Sequence, residues 1–143
     1  MINDKYLYFR AVTDQDSDDG SDDSLYVPAK RVTSLVPTST TVLTIFFESV
    51  LNECGNGTDV DNDVISDSVA LTCTQGKVKE VMSTIVAAIN SNHLYTDGVI
   101  VVADDVTTTH ETSTAGADET VVGQYLHPAI TACGAPTVAA VLS

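Results

Sequence analysis

Apolar residues recur at helical spacing through residues 76–92, GKVKEVMSTIVAAINSN, where Val78, Val81, Met82, Ile85, Val86 and Ile89 form one face. A lone helix of this length is marginal in water, so that face needs something to cover. The flanks supply it: SVALTCT before the helix and GVIVVADD after it both read as strands. The unit is strand, helix, strand. Either the two strands pair in parallel through a right-handed crossover, or they run antiparallel with the helix across one face. A helix face and two strands of this kind are first of all a hydrophobic core.

Elsewhere the apolar period is two. KYLYFRAV (residues 5–12) places Tyr6, Tyr8 and Arg10 on one face and Leu7 and Phe9 on the other. TSTTVLTIFFESV (residues 38–50) puts Leu43, Ile45 and Phe47 together, with Phe46 opposed. In SVALTCT, Val69, Leu71 and Cys73 alternate onto one side. SLYVPAKRVTSLVP is interrupted by Pro28 and Pro37 and suits a sheet edge or an irregular connection. TTTHETSTAGADETVVG, small and polar, reads as an exposed loop. The C-terminal stretch restores hydrophobicity, with Tyr125, Leu126, Ile130 and Val138 available to a core and Pro128 and Pro136 dividing it. The pattern predicts one α+β or α/β domain over residues 1–143, a mixed sheet of about five strands covered by one principal helix. Acidic loops at residues 14–23 and 55–67 interrupt it.

Charge narrows the choice of partner. Twenty acidic side chains against six basic ones give a formal net charge of −14, which repels bare nucleic acid and anionic membranes. Lys30 and Arg31 are the only adjacent basic pair, and their spacing from residues 14–23 permits an ion pair within or between chains. No apolar run is long enough to span a bilayer, and the start lacks the features of a signal peptide. The Asn56-Gly57-Thr58 sequon is then accidental.

Candidate chemistry is sparse. Asp14, Asp16 and Asp18 follow the spacing of a calcium loop, but Asp19 stands where glycine is required. Asp59, Asp61 and Asp63 repeat the spacing with Val64 in that place. A mobile solvated loop is the simpler reading of both; Ca²⁺ is the one cofactor they admit. Asp104 and Asp105 invite a two-carboxylate mechanism, yet neighbours on a strand point to opposite faces, so a solvated strand end is expected. His93, His110 and His127 lack compact ligand spacing. Cys54, Cys73 and Cys133 do not make a disulfide framework and read as buried free thiols, although Cys73 and Cys133 can approach one another in a sheet. Nucleophile-elbow, zinc-protease and nucleotide-binding motifs are missing, and the chain reads as not an enzyme.

KYLYFRAVTD, TVLTIFFES, the GKVKEVMSTIVAAINSN helix, DGVIVVADD and YLHPAITACG together resemble small structural proteins encoded by marine tailed phages, including cyanophages. The resemblance spans most of the chain. It implies a virion component, a capsid decoration or cement protein on the outer capsid surface, made in the host cytoplasm. Its partners are then the major capsid protein and copies of itself, with a trimer as the first expectation. Tyr8, Phe46 and the segment after Tyr125 are the candidate contact regions, and sheet-edge pairing is one route. The alternative is an acidic, calcium-dependent binding or self-assembling module.

Overall fold

The computed structural model describes residues 5–20, 23–48, 66–91, 98–110 and 118–137. The strands are β1 (Tyr6–Arg10), β2 (Ser24–Pro28), β3 (Val32–Ser39), β4 (Val42–Glu48), β5 (Ser66–Cys73), β6 (Val99–Asp104), β7 (Thr108–His110), β8 (Asp118–Thr120), β9 (Gln124–Tyr125) and β10 (Ile130–Cys133). One α-helix, α1 (Val78–Asn90), separates β5 from β6. The class is α+β with one principal helix. The single sheet of about five strands expected from the pattern is replaced by two four-stranded sheets, β2-β1-β6-β9 and β10-β5-β4-β3, with a two-stranded ribbon, β7-β8.

The first sheet is mixed. Its central pair, β1 and β6, is parallel, and its outer strands are antiparallel to their neighbours. The second sheet is antiparallel throughout. The strands flanking α1 therefore do not pair in either of the expected ways: β5 lies in the second sheet and β6 in the first. The helix carries the chain between sheets. Short-range periodicity marks which residues are inward; it carries no information about which sheet receives a strand.

The inward faces meet in one core. Leu7 and Phe9, Leu43, Ile45 and Phe47, and Val69, Leu71 and Cys73 are all buried, as their alternation predicts. Phe9 of the first sheet and Phe47 of the second bring their ring centroids to 6.3 Å, within aromatic contact range. The helix adds Val78, Val81, Ile85 and Ala88. Met82 and Ile89 pack at its margin, but Val86 is 44% exposed. At about 100° per residue Val86 sits a quarter-turn past Ile85, whereas Ala88, small enough to pass unnoticed, returns to the core. The Lys5 ammonium donates to the carbonyl oxygens of Ile89, at 2.9 Å, and Ser91, and so ties the start of β1 to the negative end of the helix.

Two further expectations change, and the edge expected of the proline-interrupted segment is found. Residues 107–123 contain the β7-β8 ribbon instead of an unstructured loop. The acidic stretch 55–67 ends inside β5, where Asp67 is buried. The proline-interrupted segment divides into β2 and β3, both edge strands, joined by a 3-10 turn at Ala29–Arg31. The outer face of the second sheet is built from the rows Ser34-Phe46-Ser68, Val36-Thr44-Ala70 and Val42-Thr72-Ala132.

Candidate functional site: the tyrosine face of the first sheet

The outer face of the first sheet is aromatic. Cross-strand register sets Tyr6 between Pro28 and Val99, Tyr8 between Tyr26 and Val101, and Arg10 between Ser24 and Asp104. Tyr6 is 41% and Tyr26 57% exposed. The Tyr8 and Tyr26 rings lie 4.5 Å apart, and the Arg10 guanidinium sits 5.5 Å from the Tyr8 ring centre, close enough for a cation–π contact. Partial burial raises the Tyr8 hydroxyl pKa against the opposing effect of Arg10, so this phenol is neutral near pH 7.

A bulge decides what stands beside Arg10. Tyr8 pairs with Val101 but Phe9 pairs with Ala103, so Val102 is an extra residue in β6. Val102 and Ala103 are both buried. Without the extra residue Asp104 would share the inward parity of Ile100; with it, Asp104 Oδ2 reaches Arg10 Nη2 at 3.2 Å. Arg10 Nη1 lies 3.5 Å from Asp18 Oδ2, and Asp18 also accepts from the Ser24 hydroxyl at 2.8 Å. The Arg10 Nε is buried without a hydrogen-bond partner.

Asp105 turns the other way. It accepts from the Tyr125 hydroxyl at 2.6 Å and from the Cys133 backbone N–H at 3.0 Å. Neither carboxylate of the pair is a solvated strand end. They do diverge as strand geometry requires, one clamping the outer face and the other joining β9 to β10. Burial pushes the Cys133 thiol from its ordinary value of 9.0 up to about 12, and Asp105 adds to the rise. Such a thiol is not a thiolate at neutral pH. Burial also raises the Tyr125 hydroxyl, and its hydrogen bond to Asp105 adds to this.

The first acidic loop is occupied with its own chain. Asp14 Oδ1 accepts from Asp16 N at 2.9 Å, and Asp23 Oδ2 accepts from Gly20 N at 2.6 Å. With Asp18 committed to Arg10, the calcium-like spacing is spent on a 3-10 turn at Gln15–Ser17 and on an ion pair. Asp59, Asp61 and Asp63 lie outside the described residues, as do Cys54, His93 and Val138. Among the described residues no three His, Cys, Asp or Glu side chains gather as metal ligands, and no helix is long and apolar enough to cross a membrane.

His127 is structural: its Nδ1 accepts from Ala129 N at 2.9 Å and its Nε2 lies 3.8 Å from Glu80 Oε1. His110 is in the β7-β8 ribbon, far along the chain from that turn. Cys73 and Cys133 are free and sit on neighbouring strands, opposite Ile130 and Leu71 respectively. Phe46 faces away from the core, as its alternation predicts. A shallow depression between β3 and α1, lined by Pro37, Ser39, Thr40, Gly76 and Lys79, offers no carboxylate, thiol or imidazole.

The alternation in KYLYFR is enough to place Tyr8 and Arg10 on one face. Tyr26 escapes notice because it stands in a short proline-interrupted strand, and Asp18 because its spacing suggests a cation. Comparison with protein-family models, curated proteins and solved structures finds no match to this chain.

Proposed function

We propose that this is a virion structural protein that decorates or stabilises the capsid of a tailed phage through homo-oligomeric contacts. The resemblance of its strings to small structural proteins of marine tailed phages motivates the reading. The tyrosine face is the structural observation that supports it most. Exposed tyrosines beside valine and proline on a rigid sheet form an adhesive surface, since aromatic side chains are enriched where proteins dock. In this reading the face seats on the major capsid protein at the outer shell, and the strong negative charge keeps free subunits dispersed in the host cytoplasm until assembly. The work is adhesion and not a reaction. Proteomics of purified virions of the encoding phage is expected to find the chain at high copy number, and its absence from intact particles overturns the reading. Tyr26→Ala is expected to lower its occupancy on particles while leaving the fold intact.

A further inference from the structure

The sequence holds two Asp-Gly pairs, Asp19-Gly20 and Asp97-Gly98. Both residues of the first pair are described and exposed. An aspartyl carboxyl followed by glycine is open to attack by the next backbone nitrogen, because glycine has no Cβ to hinder the approach. A bond forms between Gly20 N and Asp19 Cγ. The protonated carboxyl loses its hydroxyl, which leaves as water with the nitrogen's proton. A second water then opens the five-membered imide at the former backbone carbonyl. The product is isoaspartate, with the same composition and charge and one more carbon in the main chain.

The loop is tied at the very atom that would attack. Asp23 Oδ2 accepts from Gly20 N at 2.6 Å and from Asp19 N at 3.0 Å. Asp23 N donates in return to Gly20 O at 3.1 Å. Gly20 N is a nucleophile only as it gives up its proton. The Asp23 carboxylate engages that proton in a charge-assisted hydrogen bond, and its negative charge opposes the amide anion that would remain. We propose that Asp19 is a site of isoaspartate formation and that Asp23 guards it. The inference is independent of the capsid reading and concerns how the chain ages. Its consequence reaches the tyrosine face. The extra carbon enters the main chain next to Asp18, whose carboxylate lies 3.5 Å from Arg10 Nη1 and accepts from the Ser24 hydroxyl. Conversion at Asp19 therefore resets the backbone that holds Asp18 against Arg10.

The test keeps the full chain warm at neutral pH and follows isoaspartate at each Asp-Gly pair by peptide mapping with electron-based fragmentation. Wild type is expected to accumulate it slowly at Asp19. Asp23→Ala removes the acceptor and is expected to raise that rate by about tenfold or more, the factor that one hydrogen bond to a charged group is worth. Asp23→Asn keeps an oxygen without the charge and falls between. Gly20 does not take a positive φ, so Gly20→Ala suits the backbone, and it lowers the rate even beside Asp23→Ala. Asp97-Gly98, read in the same maps, keeps its wild-type rate, which separates loss of the guard from a general loosening of the fold. In concentrated urea the wild-type rate at Asp19 rises, and Asp23→Ala converts no faster than wild type. An Asp23→Ala rate at Asp19 no higher than that of the folded wild type, or an equal acceleration at Asp97, overturns the inference. A wild-type rate at Asp19 that does not rise on unfolding overturns it without recourse to any variant.

Discussion

Ile85 has no solvent exposure and lies on the helix face that closes the core between the two sheets. Ile85→Asp places a carboxylate there without a partner and is expected to cost about 3–5 kcal/mol, read as a fall in the urea midpoint. Tyr125 and Cys133 test the polar seam. Tyr125→Phe removes a hydrogen bond to the Asp105 carboxylate and is expected to cost about 1.5–3 kcal/mol. Cys133 makes a pH prediction whose sign follows from its raised pKa. The folded chain holds the thiol proton more tightly than the unfolded chain, so the stability it contributes is whole below pH 9.0 and is lost as pH rises toward about 12. Tyr125 acts in the same direction from about pH 10 upward. Urea titrations on the alkaline side are expected to show the decline, and Cys133→Ala to remove the part that begins near pH 9.0.

At the scale of elements, inward and outward faces were legible because burial obeys a local period. Leu7, Phe9, Leu43, Ile45, Phe47, Val69 and Leu71 are all buried where alternation put them. The edge character of β2 and β3 was legible from Pro28 and Pro37. What escaped is non-local. The partition into two sheets depends on pairings between distant strands, and no periodicity encodes the bulge at Val102 that turns Asp104 toward Arg10. The tyrosine face was half legible, since the partner strand that delivers Tyr26 is known only from register. The joint between β1 and α1 was not legible at all, because Lys5 and Ile89 are remote in sequence. It is testable nonetheless: Lys5→Met removes the ammonium from the helix terminus and is expected to cost about 0.3–1 kcal/mol, less in high salt, by thermal unfolding.

At the scale of the whole molecule, a charge of −14 opposes every contact between copies, and added salt screens it. Light scattering across a NaCl series is therefore expected to show assembly strengthening if apolar contacts or sheet-edge hydrogen bonds join the copies; a seam of ion pairs would weaken. The layout of the two sheets bears also on the order of folding. The strands β3, β4 and β5 form an antiparallel meander of sequence neighbours, whereas β1 pairs in parallel with β6, across the whole of the second sheet's meander and the helix. Closing so long a segment costs entropy before any contact offsets it, and non-local pairing is correspondingly slow. The meander is therefore the natural early structure, and β1, although it precedes the meander in the chain, is among the last strands to find its place. Until β6 emerges, Leu7 and Phe9 have no parallel neighbour, and the first sheet, with the tyrosine face it carries, is unfinished. The tyrosine face is thus completed only when β6 has been made, after the meander of the second sheet is already available.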